Sequence, residues 1–243
     1  MKGPRFHVDA PWRAGEELPL PEAVAHHALR VLRLRDGEPI TLFSGQGGEA
    51  QARLRIDGKR AFGLIESVDA VERESPLALT LVQSLVASDK LDWVIEKATE
   101  LGATRVIVAP AARSVIKLEA ARLEKRLAHW REIAVAACCQ CGRNRIPVID
   151  YFPALTSALA AAESEQRYVL APGATRPLQL AGARSAAFAV GPEGGFTEDE
   201  LHAAEAIGYA RSLLGSRVLR TETAGLAALA AGQALAGDFV ALR

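Results

Sequence analysis

A glycine-rich segment, Gly191 to Phe196 (GPEGGF), has the composition of a ligand-binding loop. It follows an apolar run that predicts a strand, and it precedes Thr197 and Glu200, which have the spacing of a helix capping box. Glycine lets the backbone approach a ligand closely and adopt positive φ. The segment matches neither G-x-G-x-x-G nor a P-loop, since the chain contains no Gly-Lys-Ser or Gly-Lys-Thr. The spacing alone fits a cofactor-binding loop or an ordinary tight β–α turn.

A second segment, Leu214 to Ala224 (LGSRVLRTETA), also runs from a predicted strand into a predicted helix. It gathers three charged side chains, Arg217, Arg220 and Glu222, in one short loop. In a parallel sheet the carboxyl ends of the strands lie at one edge, and ligands bind there. Two such loops predict a pocket at that edge; isolated surface charges are the alternative.

The elements that position these loops alternate between strand and helix from residue 77 onward, which predicts an α/β fold with a parallel sheet covered on both faces. Periodicity and end signals predict strands at 79–86, 105–109, 167–171, 186–190 and 212–214, and helices at 89–101, 118–139, from 197 onward and at 222–236.

The first 72 residues differ in pattern. Strands are predicted at 39–43, 49–56 and 61–68, separated by the turn 44–48 and by Asp57-Gly58. One helix begins at Pro21. This predicts a small, mainly β, barrel-like unit, joined to the rest by the linker 71–76.

Composition and charge indicate an ordinary globular protein: 49% of the residues are hydrophobic, 24% are charged and the formal net charge is zero. Between residues 113 and 145, however, eight residues are basic and three are acidic. Such a basic segment fits either a phosphate-binding face or a solvated helix surface.

The cysteines Cys138, Cys139 and Cys141 lack the second Cys or His pair of a zinc site, so we expect no metal and reduced thiols. Residues 1–13 contain charges and two prolines rather than a signal segment, and no apolar run has membrane-spanning length. We therefore expect a cytoplasmic protein without a membrane anchor.

The two strand-end segments together resemble the signature of the SPOUT methyltransferases, and are most similar to those that modify uridine N3 in small-subunit ribosomal RNA. The similarity continues in HHALRVLRL (26–34), GEPITLFSGQG (37–47), KLDWVIEKATELGATRVIVAPAARSV (90–115) and KRLAHWREIAVAACCQCGRNRIP (125–147). These motifs occur in the family's order, and the resemblance extends over nearly the whole chain.

The resemblance implies a PUA-like RNA-binding domain over 1–72 and a methyltransferase domain over 73–243 with a deep C-terminal trefoil knot, an exception to the general absence of knots. It implies S-adenosylmethionine as cofactor, bound by three loops. Carried over by position, the binding residues are Leu170, Ala171, Pro172, Gly191, Pro192, Glu193, Gly194, Gly195, Leu214, Gly215, Ser216, Val218, Leu219, Thr223 and Ala224.

For catalysis we expect Arg220 to stabilise the charge that develops on uracil O2 and O4 when N3 loses its proton, with Arg143 or Arg145 as second candidates. Glu193 or Glu222 is the expected proton acceptor. Either glutamate could instead orient an arginine, so that an Arg–Glu pair shapes the loop.

The resemblance also implies a homodimer that acts on 16S rRNA, either naked or within the assembled small subunit. Expected RNA contacts are Arg30, Arg33, Arg35, Lys90, Arg113, Arg143 and Arg145; a solvated surface is the alternative for the arginines of 30–35.

The chain departs from the family pattern at Cys139 and Val148, where relatives frequently have acids; an acid that served as catalytic base there would be missing. Two other functions fit the sequence. One is methylation of a different RNA position, such as a ribose 2′-hydroxyl, and the other is RNA binding without catalysis in ribosome assembly.

Overall fold

The structure is a computed structural model that describes residues 3–239 of the chain. The chain forms two compact units. The first comprises residues 3–74 together with Cys138–Ile146, and the second comprises Ser75–Ala137 together with residues 147–239. The predicted domain boundary after residue 72 did not assign the segment Cys138–Ile146 to the first unit. The local sequence pattern of that segment gives no sign of long-range partners. The boundary itself stays a prediction.

The first unit contains a five-stranded sheet in the order β1-β3-β4-β5-β2. β1 and β3 are parallel and the other pairs are antiparallel. Alternating side chains of the long strands point into one core, which includes Ile40, Leu42, Leu54 and Ile65. The strands are β1 (Arg5–His7), β2 (Glu17–Pro19), β3 (Pro39–Phe43), β4 (Glu49–Asp57) and β5 (Arg60–Asp69).

The predicted helix after Pro21 is present as α1 (Glu22–His26), which continues into a π-helical turn (His27–Val31). Two residues later Arg33 adopts φ +55°, a left-handed conformation that non-glycine residues rarely take. The chain therefore turns sharply where the sequence places its cluster of arginines.

A buried carboxylate organises the interior of this unit. Glu49 is 1% exposed and accepts hydrogen bonds from Arg5 at 2.7 Å and from Arg73 at 2.9 Å. Arg5 also donates to the Asn144 side chain. Because a buried charge is costly without partners, this network ties the edge strand β1 and the segment after β5 to the start of β4.

The second unit contains a six-stranded sheet in the order β11-β9-β10-β6-β7-β8, and every neighbouring pair is parallel. The predicted α/β fold with a parallel sheet is confirmed. The strands are β6 (Ala78–Ser84), β7 (Ala103–Ala109), β8 (Val148–Tyr151), β9 (Gln166–Leu170), β10 (Ser185–Val190) and β11 (Ala210–Ser212).

The helices of this unit are α2 (Ser88–Glu100), α4 (Leu155–Ala161), α5 (Glu198–Ala206) and α6 (Thr221–Ala236), and α3 (Ala120–Cys141) runs from it into the first unit. The capping box predicted at Thr197 is formed by its side chain, the Glu200 side chain and both backbone N–H groups. α2 and α6 pack together, and α6 also packs on β6 and β10.

Four elements escaped the sequence prediction, namely β1, β2, β8 and α4. Each has seven residues or fewer, which is too short for a period to stand out. β1 and β2 have three residues each and exist because longer strands pair with them. Tertiary pairing, rather than local preference, decides such segments.

Within residues 3–239 no helix combines the length and the apolar composition needed to cross a membrane. The same residues contain no group of three or more His, Cys, Asp or Glu side chains arranged to hold a metal ion.

Candidate functional site

Three loops of the second unit meet at one edge of its sheet. β11, β9 and β10 are consecutive neighbours and parallel, so the segments that follow Leu170, Val190 and Ser212 leave the sheet side by side. Together with Lys90 and the start of α6 they enclose a cavity of about 740 Å³. This volume is in the range of small-molecule and cofactor sites.

The structure brings the two predicted loops and the segment at 170–172 together in this cavity. Thirteen of the fifteen predicted cofactor residues line it. The exceptions are Gly215 and Thr223, which line a separate groove along α6, because the loop turns outward at Gly215 and the helix rotates Thr223 away from the cavity. The predicted catalytic residues Arg220, Glu222 and Glu193 all lie at the cavity.

Several lining residues were missed or assigned elsewhere. Lys90, expected to contact RNA, lies on the cavity wall, since the first turn of α2 comes up beside the glycine loop. The residues missed by the sequence analysis are Gly173, Val190, Ser212, Leu213, Arg217 and Thr221. All lie within two positions of predicted ones, at strand ends or between there and the first residue of α6, and that proximity was the available signal.

The glycine loop is packed too tightly for a side chain at its first position. A Cβ atom on Gly191 would lie 2.9 Å from the Phe196 nitrogen and 3.0 Å from the Gly195 carbonyl carbon. Gly195 adopts φ +68°. Arg113 donates a hydrogen bond to the Gly194 carbonyl at 2.8 Å, so this predicted RNA contact supports the loop from its outer side.

A short chain of hydrogen bonds fixes α6 against the same loop. The Thr221 hydroxyl donates to the Gly191 carbonyl at 2.6 Å, and Gln83, fully buried at the end of β6, donates to the Thr221 hydroxyl at 2.9 Å. The loop after β10 and the first residue of α6 are therefore held at a fixed separation by the sheet itself.

The far side of the loop is anchored through the capping box. One Glu200 oxygen accepts from the Thr197 backbone N–H at 2.8 Å, while the other accepts from the Ala112 backbone N–H at 2.7 Å. One carboxylate thus joins the start of α5 to the segment after β7, which also contains Arg113.

Five charged residues line the cavity, and the side chains of four of them lie close together. Lys90 Nζ donates to Glu193 Oε1 at 2.9 Å and lies 3.7 Å from Glu222 Oε2. Arg220 Nη1 lies 4.0 Å from Glu222 Oε1. Arg220 is 84% exposed at its side chain, whereas Glu222 is 14% exposed. The cavity therefore combines a shielded carboxylate with two cations close to it.

Protonation in this cluster follows from the Lys90–Glu193 hydrogen bond. It raises the pKa of Lys90 above its ordinary value, and it lowers the pKa of Glu193 below its ordinary value. Lys90 is a cation and Glu193 an anion at neutral pH.

The arginines predicted to contact RNA differ in exposure. Arg30, Arg33 and Arg35 are exposed on the first unit. Arg145 is exposed and paired with Glu72 at 2.7 Å, which lowers the pKa of Glu72. Arg143 is 6% exposed and donates to Glu74. The structure speaks against Arg143 as an RNA contact or as a charge stabiliser, because its guanidinium is enclosed in an ion pair.

The two departures from the family pattern lie outside the cavity. Neither Cys139, near the end of α3, nor Val148, which is 54% exposed at the start of β8, is among the lining residues. The neighbouring Cys138 is fully buried, and burial raises the pKa of its thiol to about 12.

A second, apolar groove of about 510 Å³ runs along α6. Its walls are mostly aliphatic, and one end is formed by Leu235, which is 51% exposed. The lining residues are Leu178, Leu213, Leu214, Gly215, Arg217, Leu219, Thr223, Ala227, Ala231 and Leu235.

Two family models match the chain. Residues 73–233 match the RNA methyltransferase domain, and residues 20–66 match the RNA methyltransferase PUA domain. The first model alone covers more than half of the sequence and contains every residue that lines the cavity.

Two curated relatives are both named ribosomal RNA small subunit methyltransferase E. The protein from Bacillus subtilis is 34% identical over 218 residues, 85% of each chain. The protein from Mycobacterium bovis is 34% identical over 236 residues, 93% of this chain and 89% of the relative.

Two solved structures superpose on nearly the whole chain. A methyltransferase from Legionella pneumophila, in complex with S-adenosylmethionine, is 32% identical with a TM-score of 0.90, covering 98% of this chain and 100% of that one. The small subunit methyltransferase E from Neisseria gonorrhoeae, bound to S-adenosylmethionine, is 39% identical with a TM-score of 0.86, covering 98% and 99%.

Proposed function

The chain belongs to the RNA methyltransferase family, and from that premise we propose that it methylates N3 of a uridine in the 16S rRNA of the small ribosomal subunit. The observation that supports this most is the cavity at the carboxyl edge of the sheet, with a carboxylate and two cations on its wall. The cofactor is S-adenosylmethionine, with which two similar structures were determined.

The cavity suits this cofactor in size and chemistry. Its lining is largely apolar side chains and backbone from 170–173, 191–195 and 212–219, which suits the adenosine and the aliphatic chain of the cofactor. The carboxylate of Glu193 suits its cationic groups. Gly191 leaves room for close approach, since no Cβ fits there.

S-adenosylmethionine supplies an electrophilic methyl group when bound: uracil N3 forms the new bond to carbon as the carbon–sulfur bond breaks, and the sulfur keeps the electron pair. The N3 proton passes to a carboxylate, Glu222 or Glu193. Arg220, at the mouth of the cavity, stabilises the negative charge on the uracil oxygens. Arginine stays protonated and cannot be the base.

We also propose a homodimer, in which the apolar groove along α6 receives a second copy. The exposed Leu235 and the small alanines of the groove suit close packing of two helices. Leu235→Asp should shift sedimentation velocity toward the monomer, and Ile207→Asp, at an exposed apolar residue after α5, should not. A wild-type monomer, or an unaffected Leu235→Asp dimer, contradicts this proposal.

We also propose a deep C-terminal trefoil knot, separate roles for the two domains and a cytoplasmic location. The topology supports the knot. β11 lies beyond β9 at the edge of the sheet, whereas α6 begins against Gly191, which follows β10. The segment 213–220, which joins β11 to α6, must therefore cross the segment after β9. At that crossing the Leu213 backbone N–H and the Ser212 hydroxyl both donate hydrogen bonds to the Arg176 carbonyl. We assign 1–72 to RNA binding and 73–243 to catalysis, and we place the protein in the cytoplasm, where ribosomes are assembled.

The decisive experiment is nucleoside mass spectrometry of small-subunit rRNA from a deletion strain and from the same strain complemented with the wild-type chain. We expect N3-methyluridine to disappear and return. Loss of a 2′-O-methylated nucleoside would indicate the other target chemistry. Unchanged nucleosides, together with no S-adenosylmethionine binding in calorimetry, would indicate an assembly factor.

A further inference from the structure

The Glu222 carboxylate has unused capacity to accept hydrogen bonds. Its Oε2 atom is buried and forms no hydrogen bond, although Lys90 Nζ lies 3.7 Å away. Its Oε1 atom is 4.0 Å from Arg220, too far for a hydrogen bond. A shielded carboxylate held between two cations, hydrogen-bonded to neither, is arranged to receive an N–H donor from a ligand.

Lys90 is placed against the preference of its own helix. It lies in the first turn of α2, where the helix dipole favours anions. The negative charges of Glu193 and Glu222 offset that cost. The Lys90 ammonium group has three protons, and one of them is donated in the hydrogen bond to Glu193. The remaining donor capacity of Lys90 lies beside Glu222, as does the guanidinium of Arg220 on the other side.

We propose that Lys90, Glu222 and Arg220 recognise the imide edge of the target base and select uridine over cytidine. The three groups present a donor, an acceptor and a donor. The Watson–Crick edge of uracil presents the complement: a carbonyl, an N–H and a carbonyl. This inference rests on the proposed methylation of uridine N3, and adds Lys90 as a specificity-determining residue.

Cytosine fails at two of the three positions. Its N3 atom carries a lone pair, which would face the Glu222 carboxylate, and its amino group would face one of the cations. Buried polar groups left unpaired in this manner discriminate between bases far more strongly than shape does. The same carboxylate that rejects cytosine is placed to take the N3 proton of uracil.

The test compares purified wild-type protein with Glu222→Gln, Lys90→Met and Lys90→Arg. Single-turnover methyl transfer from S-adenosylmethionine is measured on small subunits from the deletion strain, and nucleoside mass spectrometry counts methylated uridine and methylated cytidine. Calorimetry gives cofactor affinity separately. Asp89→Asn, an exposed acid next to Lys90 and outside the cavity lining, is the matched control.

Glu222→Gln should lower the rate on uridine about a hundredfold or more and raise the proportion of methylated cytidine, because an amide can donate to cytosine N3. Lys90→Met should lose about tenfold to a hundredfold, and Lys90→Arg should recover part of it. Cofactor affinity should change by less than about threefold, since backbone dominates that site.

Three results overturn the inference. A Glu222→Gln protein with a normal rate of methyl transfer and unchanged base selectivity would show that the carboxylate does not recognise the base. A variant that loses cofactor affinity but reacts normally at saturation assigns Glu222 to the cofactor instead. A wild-type protein that transfers no methyl group to any uridine rejects the proposed function and this inference with it, a result distinct from the first two.

Discussion

At the scale of single residues, the cavity depends on a few side chains whose neighbours decide their role. Lys90 and Arg220 are both cations, yet Lys90 is hydrogen-bonded to Glu193 while Arg220 is 84% exposed at the cavity mouth. An exposed arginine adds little to stability. Its contribution is therefore to be sought in the reaction rather than in folding.

Arg220→Ala should reduce methyl transfer about a hundredfold or more, because one charge-stabilising donor is removed at the reacting base. Arg220→Lys should recover only part, since an ammonium lacks the planar fork of two donors. Rapid-quench measurement of a single turnover tests this, with calorimetry as the control for cofactor affinity. A normal rate in Arg220→Ala would reject the role, and lost cofactor binding would mean that Arg220 shapes the loop.

Cys138 should make the stability of the protein depend on alkaline pH. Its thiol has an ordinary pKa of 9.0 and a pKa of about 12 when buried, so between these values the unfolded state binds fewer protons and stability falls as pH rises. The loss is roughly 1 kcal/mol per pH unit. Below pH 9 the effect is absent.

Urea unfolding of wild type and Cys138→Ala at pH 7 to 10.5 measures this. We expect the difference in free energy of unfolding between the two to shrink above pH 9. Cys141→Ala, at an exposed position, is the matched control. A constant difference in free energy of unfolding between Cys138→Ala and wild type would show that the Cys138 thiol ionises equally in both states.

At the scale of elements, the cavity is held by loops whose backbones are fixed from several sides. Gly191 is bonded to Thr221, Gly194 to Arg113, and the following helix is capped through Glu200. Each anchor comes from a different strand or helix. The shape of the glycine loop is therefore a property of the packed sheet and not of the loop alone.

Gly191→Ala should weaken S-adenosylmethionine binding by about tenfold or more, because its Cβ would displace the backbone at Gly195 and Phe196. Gly194→Ala is the matched control in the same loop: the atoms nearest to its Cβ belong to the Arg113 side chain, the closest being Arg113 Cβ at 3.1 Å, so a shift of a few tenths of an ångström accommodates it. We expect the control to lose less affinity in calorimetry. Equal losses would mean that the loop tolerates no change anywhere.

At the scale of the whole molecule, zero net charge conceals an uneven distribution. Exposed arginines cluster at 30, 33 and 35 on the first unit, within the segment that matches an RNA methyltransferase PUA domain. Arginines such as Arg53 and Arg55 lie on the same unit but are paired with glutamates. RNA affinity should depend on the first group and not on the second.

Charge reversal of Arg30 and Arg35 should lower RNA affinity. It should also reduce the slope of log affinity against log salt concentration by about one to two, because each phosphate contact releases about one counterion on binding. Arg53 and Arg55 reversed together are the control with the same change in charge. Filter binding at several salt concentrations measures both. If the two double variants behave alike, the cluster at 30–35 is a solvated surface.

Elements whose signals are local can be predicted from the amino-acid sequence. The alternation from residue 77 onward predicted the parallel sheet, and the capping spacing of Thr197 and Glu200 was enough to start α5 at the correct residue. The glycine loop and the segment 214–224 were recognised as strand-end loops, because parallel strands must end at one edge.

Tertiary structure alone decided which charges meet. Lys90 and Glu193 are 103 positions apart in sequence, and no period or motif predicts that they share a hydrogen bond. Arg143 belongs to a basic segment in sequence, yet in the fold its guanidinium is buried against Glu74. Burial and pairing over such separations follow from packing, which sums contributions from the whole chain, so local sequence cannot specify them.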